Sequence, residues 1–368
     1  MPNNVKVTDA EYAFAVQLIH KHNGNVSAAC REGAAIAGIS EKGFESRCKA
    51  ARRMGLWSRE SLAQAKLEAG KALLGAVPVA EPLPDDDIDT GELIEQMVRR
   101  FKKRKEHRDA KLWRRFTVPV SGPYAVMFFG DPHIDDNGCD WATLQAHCEL
   151  ARNTEALFCA NIGDTTNNWM GRLARLWSDQ DTSAATARKL VKWFLNDSGV
   201  PWWLWIMGNH DSWPGPVGTE TLERFKPQTV AMEEWGAKVT LVSPDGTEFR
   251  VHASHDFAGH SQWNPLHGPM KEALWGDHAH LYVAGHKHNW ALFNGEHNHR
   301  GNIFWLGRAR GYKVIDHYAD LHGFGSQNHG HSIMAVVDPS QANGPAHVQC
   351  FADPFEGVEY LKFKRRGL

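Results

Sequence analysis

The sequence has no C-x-x-C pair, although it contains six cysteines, which are scattered between Cys30 and Cys350. Zinc ribbons and disulfide frameworks need cysteines at short, repeated spacings, so both are disfavoured and a reducing compartment is expected. The chain has no basic segment followed by an apolar run at its start, and no apolar run longer than a strand. The sequence therefore predicts a cytoplasmic protein without a signal peptide or a membrane-spanning helix.

An excess of one charge is also missing. The formal net charge is −2 in 368 residues, with 42% hydrophobic and 23% charged residues. These values are typical of a soluble globular protein with room for two or three domains. What the chain does have in unusual number is 21 histidines and 15 tryptophans, most of them after residue 110.

Residues 1–60 have the pattern of a small helical domain, and Thr8-Asp9-Ala10-Glu11 is a capping-box sequence. The stretch from Gly24 to Leu56 resembles a helix-turn-helix DNA-binding unit of the kind that begins GN-x-S-x-AA and continues GIS. It departs from the usual spacing, because residues 31–36 look like an insertion ahead of the turn. A plain helical hairpin with a solvated basic face is the alternative. The resemblance implies DNA contacts from the basic residues of the second helix, namely Lys42, Arg47, Lys49 and Arg52.

Two segments of different composition follow. Residues 61–92 become rich in Ala and then in Pro and Asp, which predicts a linker. Residues 93–116 are predicted to form one basic helix, because Lys and Arg dominate between Arg99 and Arg115. A solvated helix face explains such a run, and so does a contact with the phosphate backbone of a nucleic acid.

Residues 117–368 are predicted to form an α/β domain in which short apolar strands end in polar motifs. The motifs are GDPH at 130–133, GDTTNN at 163–168, GNHD at 208–211, SHDF at 254–257 and GHKH at 285–288. Each motif alone could be an ordinary turn. Ligands of open α/β sheets, however, gather beyond the carboxyl ends of the strands. Carboxylates, an amide and imidazoles at five such ends suit two divalent transition metals that share a bridging carboxylate.

This set of motifs resembles the calcineurin-like metallophosphoesterases, over roughly Tyr124 to Phe293. The resemblance implies a two-sheet αββα sandwich with a dinuclear metal site at one edge, here preceded by a small all-α domain. Manganese is the expected metal, with iron, zinc and nickel as alternatives.

The ligand roles carried over from the family leave one position open. The second metal needs a histidine upstream of GHKH, and we predict His255, because His252 points to the opposite face of its strand and His260 falls in a Gly-rich loop. The full implied set is Asp131, His133 and His288 for the first metal, Asp164 as the bridge, and Asn209, His255 and His286 for the second.

The resemblance also implies a reaction, the in-line attack of a metal-bridging hydroxide on phosphorus. His210 resembles the histidine that protonates the leaving oxygen, and Asp211 is predicted to orient its imidazole. Protein phosphatases of the superfamily carry Asp-Arg-Gly after the second motif and GNHE at the third. This chain has TTNNW and GNHD, which argues against a phosphoprotein substrate.

Sequence next to the motifs suggests the substrate. Cations interleaved with aromatic residues suit a phosphate chain with stackable bases, although the aromatics could equally be core and the cations rim. The candidate substrate-binding residues are Asn167, Arg172, Arg175, Arg308, Arg310, Tyr312 and Lys313.

The sequence therefore predicts a metal-dependent phosphodiesterase that acts on DNA and is recruited by its N-terminal domain. In this it resembles phage- and prophage-type metallophosphoesterases with an N-terminal helix-turn-helix. One alternative is a phosphatase or phosphodiesterase for a small nucleotide, whose N-terminal region is only an oligomerising hairpin. A second is a DNA-binding assembly factor with a structural metal site. The His210-Asp211 pair argues against the second, since a structural site needs no acid for a leaving group.

Overall fold

The computed structural model describes residues 7–74, 87–315, 327–342 and 344–366. The chain forms two compact units, Met1–Asp89 and Thr90–Leu368. Separate clusters of buried apolar side chains occupy the two units. Within the described ranges, no helix combines the length and the apolarity needed to cross a membrane.

The first unit is all helical, with α1 Asp9–Lys21, α2 Val26–Ala37, α3 Glu41–Arg53 and α4 Arg59–Leu74. Gly38 ends α2 in the left-handed conformation (φ 66°), and the Ser40 hydroxyl accepts from the Gly43 N–H at the start of α3. The apparent insertion at 31–36 lies inside α2, so it lengthens that helix and leaves the turn intact. A Cβ at Gly33 would lie 2.2 Å from the Phe44 ring, so a glycine lets α2 pack closely on α3.

The predicted boundaries between the segments differ from the structure. Helix α4 occupies 61–74, the first part of the predicted linker, and residues 75–86 of that prediction lie outside the described residues. The basic helix α5 spans Thr90–Lys111 and ends earlier than predicted. Trp113 adopts a positive φ of 54°, and Arg250 lies 3.7 Å from the centre of its ring. This contact anchors the chain so that the last predicted helical residues form a strand instead.

The second unit contains two six-stranded sheets, in the orders β1-β6-β7-β8-β10-β9 and β12-β11-β2-β3-β4-β5. The strands are β1 Arg114–Thr117, β2 Tyr124–Phe129, β3 Leu157–Asn161, β4 Trp202–Met207, β5 Ala231–Glu234, β6 Gly236–Val242, β7 Glu248–Ser254, β8 Leu281–Ala284, β9 Ala291–Glu296, β10 Ile303–Arg308, β11 Ser332–Val337 and β12 Val348–Phe351. The further α-helices are α6 Trp141–Asn153, α7 Ala184–Lys192, α8 Asn209–Ser212, α9 Thr219–Phe225, α10 His267–Trp275 and α11 Pro354–Lys364.

The two sheets pack face to face around one core and carry helices outside. Val126 and Phe128 of β2 lie in the core cluster that also holds Val251 of the other sheet. The alternate residues of β2, such as Phe129, pack in a second cluster with residues of α6 and α11. A strand buried on both faces is apolar throughout, which explains the run YAVMFF. The fold is the α/β metallophosphoesterase sandwich that the resemblance implies.

Strand direction positions the site. Strands β2, β3 and β4 are mutually parallel, and so are β7 and β8 in the other sheet. Their carboxyl ends therefore lie at one edge of each sheet, where the polar motifs begin.

Candidate metal centre

The motifs after β3, β4, β7 and β8 converge on the Nε2 atom of His255. This atom lies 3.1 Å from Oδ1 of Asn209, 3.3 Å from Oδ2 of Asp164 and 3.0 Å from Nδ1 of His286. His255 Nδ1 lies 3.0 Å from the Ile162 carbonyl, so it carries the proton and donates it, leaving the Nε2 lone pair directed at the cluster. Four electron-rich atoms this close need a positive charge among them, either a proton or a metal ion. Asp164, His255 and His286 accordingly meet the geometric requirement for a metal site.

The motif after β2 supplies a neighbouring group. His133 Nδ1 lies 2.9 Å from the Asn167 side-chain oxygen, which leaves Nε2 unprotonated and 3.9 Å from Asp164 Oδ2. Both His133 Nε2 and Asp131 Oδ1 are buried without a hydrogen-bond partner. Such atoms are costly to bury unless something binds them. The His288 ring lies 5.1 Å from the His133 ring, and Asp131 Oδ1 lies 3.3 Å from His255 Nδ1. Asp164 contacts both His133 and His255, and the sharing of one metal by Asp131, His133 and His288 stays a prediction.

The donor chemistry of both groups suits metal ions, and among the described residues Asp164, His255 and His286 are the group whose ligand atoms also lie close enough to share one. Imidazole nitrogen and carboxylate or amide oxygen are ligands for manganese, iron, zinc or nickel, and the set does not choose among them. Asn167 fixes the His133 tautomer and the Ile162 carbonyl fixes that of His255, as outer partners of metal-binding histidines commonly do.

Burial and mutual charge shift the pKa values in this cluster strongly. Burial raises the pKa of the Asp131 carboxyl well above its usual range. Burial would also raise that of Asp164, but the charges of His255 and His210 hold its pKa well below the usual range. Burial alone would lower the pKa of His255, yet Asp164 raises it to about 10. The environment of His255 therefore favours positive charge, as a cation-binding site must.

The backbone at the site is unusual. His133, Asp164, His286 and His288 all have positive φ values, between 41° and 69°. Non-glycine residues rarely adopt this region, and where they do the conformation often serves a functional site.

Glycines make room for the carboxylates. A Cβ at Gly208 would lie 2.1 Å from Asp164 Oδ1, and a Cβ at Gly285 would lie 2.6 Å from Asp131 Oδ2. The glycine at the start of each of these motifs is therefore required by close approach of a predicted ligand.

His210 is placed at the same edge, but not as predicted. Its ring centre is 5.2 Å from that of His133, and its Nδ1 contacts the Asn167 carbonyl. Asp211 instead accepts from the backbone N–H groups of Gly208 and Thr165, each at 3.0 Å. The prediction that Asp211 orients the His210 ring is therefore wrong, because the Asn167 carbonyl does so and Asp211 holds the loop.

Several predicted substrate residues are buried in the protein. Arg308 is fully buried, where it donates to the carbonyls of Pro265 and Gly285 and pairs with Asp256 at 2.8 Å. Tyr312 is core, and its hydroxyl lies 2.8 Å from His147 Nδ1. These two stabilise the fold and offer no surface to a substrate.

The other candidates divide into buried and exposed residues. Arg310 is 3% exposed, with Nη2 directed at the Val314 carbonyl at 3.3 Å, whereas its Nε and Nη1 are buried without a hydrogen-bond partner, so its role in substrate binding stays a prediction. Asn167 is buried as well, and its amide donates to Asp136 at 2.6 Å while its oxygen faces His133. Lys313 contacts Asp136 at 3.1 Å. Arg172 and Arg175 are exposed on a 3-10 helix, Gly171–Asp179, and their role in substrate binding stays a prediction.

The predicted DNA-binding residues lie on α3 in the first unit. Lys42 and Arg52 are exposed, and Lys49 forms an exposed pair with Glu45 at 2.7 Å. Arg47 is only 17% exposed and pairs with Glu11 of α1 at 2.9 Å, which ties it to its own unit.

Some residues at the site are absent from the sequence-based prediction. Asp135 accepts from the Asn167 backbone at 2.8 Å and from Gln180 at 3.2 Å, which supports the residue that orients His133 and His210. In the sequence, only its position two residues after His133 indicated that Asp135 belongs to the site. Trp213 packs 4.5 Å from the His210 ring, and Trp235 packs 5.1 Å from the His255 ring. Neither tryptophan belongs to a motif, so no spacing pointed to them.

The fold and the paired ligand groups define a metallophosphoesterase. The family model of calcineurin-like phosphoesterases matches residues 124–332, more than half of the chain. The chain belongs to this family.

Comparison with curated proteins gives no significant match. Among solved structures, nuclease MPE of Pseudomonas putida is 16% identical, with a TM-score of 0.29, over 61% of this chain and 87% of its own. A protein of unknown function from Aquifex aeolicus is 14% identical, with a TM-score of 0.26, over 48% of this chain and 82% of its own. At this level neither similarity bears on the substrate.

Proposed function

We propose that this protein is a dinuclear-metal-dependent phosphodiesterase that hydrolyses phosphodiester bonds in DNA. One observation carries the proposal: His255 and His133, from the two predicted ligand groups, both lie within 4 Å of Asp164. Beside them lies His210, whose ring is oriented by the Asn167 carbonyl. Asp131, His133 and His288 would hold one metal, Asn209, His255 and His286 the other, and Asp164 both. Two bound divalent ions supply charge neutralisation for a phosphoryl group and lower the pKa of a bound water.

The chain's own acid is His210. Its Nδ1 proton is held by the Asn167 carbonyl, so only Nε2 is available to give a proton to the oxygen that leaves phosphorus. A structural metal site has no use for this arrangement, which disfavours the assembly-factor alternative.

The DNA part of the proposal rests on two features outside the metal centre. Helix α3 of the first unit follows a helix-turn-helix-like turn and exposes Lys42 and Arg52. Helix α5 exposes a run of cations from Arg99 to Arg108. Phosphate contacts need only such positive charge. The burial of Arg308 and Tyr312 removes part of the expected polynucleotide surface near the metals, and it favours a small-nucleotide ester as the second candidate.

A comparison of substrates tests the proposal. Protein reconstituted with manganese should hydrolyse bis-p-nitrophenyl phosphate faster than p-nitrophenyl phosphate, and it should then degrade single- or double-stranded DNA. Asp164→Asn is the matched inactive variant, because it removes the shared negative charge with little change in shape. Preference for the monoester together with inert DNA would select the small-nucleotide alternative. Activity that survives in Asp164→Asn would reject the metal-site assignment.

A further inference from the structure

Trp235 combines a costly backbone conformation with an exposed side chain. It lies between β5 and β6 with a φ of 59°, and 45% of its surface is exposed. A left-handed conformation is unfavourable for a bulky side chain, whereas glycine or asparagine adopts it readily. Because almost half of the indole remains exposed to water, its burial offsets little of this unfavourable backbone free energy. The position therefore carries a strained tryptophan for which the fold alone gives no reason.

The surroundings of Trp235 suggest the reason. Its carbonyl accepts from the His255 N–H at 2.7 Å and from the Ser254 hydroxyl at 3.1 Å, and its own N–H donates to Met207 at 3.0 Å. These bonds fix the residue beside the second ligand group. The indole centre lies 5.1 Å from the His255 ring and 6.0 Å from the His286 ring.

An exposed indole next to a phosphoryl site is suited to a flat, apolar group attached to that phosphoryl. Nucleobases stack on aromatic side chains irrespective of their identity. We infer that Trp235 forms a base-stacking subsite for the nucleotide whose phosphoryl group lies at the metal centre. This inference rests on the proposed function and specifies its substrate as a base-bearing nucleotide ester.

Binding measurements test the subsite without any turnover. Calorimetry would compare deoxyadenosine monophosphate with 2-deoxyribose 5-phosphate on manganese-loaded full-length protein. The two ligands share the phosphate and the deoxyribose, and the second carries a hydroxyl at C1 in place of the base. Stacking contributes about 1–3 kcal/mol per base, so the wild type should prefer the nucleotide by roughly 5- to 150-fold.

The variants isolate the indole. Trp235→Ala should reduce the preference to about twofold or less, while Trp235→Phe should keep part of it. Trp275→Ala is the matched control, because Trp275 is 76% exposed at the end of α10, ahead of strand β8. Trp235→Asn suits the left-handed backbone, so it should melt no lower than the wild type and still lose the preference.

Three outcomes would overturn the subsite. They are a wild type that does not distinguish the two ligands, a Trp235→Ala variant that keeps the preference, and a Trp235→Ala variant that loses its metals, which would make Trp235 a support for His255. Elemental analysis detects the last. If the proposed function is wrong but the subsite is right, the protein will bind nucleotides in a base-dependent way and will not cleave oligonucleotides.

A second inference comes from α5 and is independent of the metal site. No residue of this helix is buried. Its first half nevertheless carries a cluster of large apolar side chains at helical spacing, which we call the α5 apolar face. These are Leu93, Ile94, Met97, Val98 and Phe101, each between 44% and 68% exposed. An amphipathic helix gains most of its stability by burying such a face, so a contiguous exposed one indicates a partner.

Charge identifies the partner. The helix and the residues just before it are acidic up to Glu95, with Asp87, Asp89 and Glu92, and become basic from Arg99 to Arg108. Antiparallel pairing of two copies centred on Met97 and Val98 brings the two apolar faces together. It also places the acidic end of each helix beside the basic end of the other, for example Glu92 beside Lys103. Parallel pairing would set like charges side by side, which is destabilising. The geometry points to a second copy of this chain, bound antiparallel through α5.

Sedimentation of the full-length protein over a range of concentrations tests the pairing. We expect a dimer that Met97→Glu converts to a monomer. Glu92→Lys and Lys103→Glu should each weaken the dimer. The double variant should dimerise again, because the two charges are then exchanged and attract each other. His107→Ala, on the same helix and outside the α5 apolar face, is a control.

A protein that is monomeric throughout would overturn this inference, and so would a dimer that Met97→Glu leaves intact. If Met97→Glu instead weakens DNA binding by a monomer, the helix binds nucleic acid and the dimer is rejected. A dimer that the double exchange fails to restore would exclude the antiparallel arrangement.

Discussion

In the proposed reaction His210 would give its proton from Nε2, because the Asn167 carbonyl holds Nδ1. His210→Ala should therefore slow esters with poor leaving groups, such as alkyl diesters or DNA, by about 10²–10⁴-fold. Nitrophenyl esters, whose leaving oxygen needs little protonation, should lose much less. Steady-state rates on both classes, with metal content measured in parallel, check this. An equal loss on the two classes would remove His210 from the role of acid.

His255 and His252 lie on the same strand end but on opposite sides. His255 faces Asp164, whereas His252 Nδ1 lies 3.4 Å from Glu272, away from the ligand groups. We expect His255→Ala to lower metal occupancy by about one ion per chain, while His252→Ala and His260→Ala keep full occupancy. Elemental analysis after dialysis measures this. Loss of metal from the His260 variant alone would show that the exposed loop, and not the strand end, supplies the ligand.

The arginine at the end of β10 joins elements rather than binding substrate. Arg308 bridges β10 to the GHKH turn through Gly285 and to the loop after β7 through Asp256. Its removal leaves the Pro265 carbonyl without its donor and leaves Asp256 with Lys287 alone, at 3.5 Å, so Arg308→Met should destabilise the fold by about 1–3 kcal/mol. Arg172→Met, on the exposed 3-10 helix, should leave the melting temperature unchanged. Thermal unfolding of both variants distinguishes them, and an unchanged melting temperature for Arg308→Met would return that residue to the substrate-binding candidates.

Strands and the site were predictable to different degrees. The apolar runs and their polar endings predicted β2, β3, β4, β7 and β8. Asp164, Asn209, His255 and His286 do lie close together, because the carboxyl ends of parallel strands meet at one edge of a sheet. The end of α5 was not predictable, since it depends on the contact of Trp113 with Arg250, far along the sequence. The partners of Asp211 and Arg308 were missed for the same reason. A charged residue near a motif looks the same in a sequence whether it faces solvent or closes a buried bridge.

The two units have separate cores, so the contribution of the first unit to activity and to DNA binding can be measured by removing it. Every predicted ligand lies after Tyr124, and the first unit has its own apolar cluster built from α1, α2 and α3. A variant lacking residues 1–88 should therefore hydrolyse small diesters at nearly the wild-type rate. It should bind DNA more weakly, because the exposed cations of α3 are gone.

Salt dependence of DNA binding separates the contributions of the two units. Removal of one phosphate contact on duplex DNA should reduce the slope of log affinity against log salt by about 0.9. Titration of labelled duplex and single strands at several salt concentrations measures the slope for full-length and shortened protein.

Helix α5 remains in the shortened variant, so part of the salt-sensitive binding should persist. Lys42→Ala combined with Arg52→Ala in the full-length chain should reproduce part of the decrease in affinity, whereas Arg47→Ala, whose guanidinium is paired with Glu11, should add little. Identical affinities and slopes for all of these proteins would remove DNA recruitment from the first unit and favour a small-nucleotide substrate.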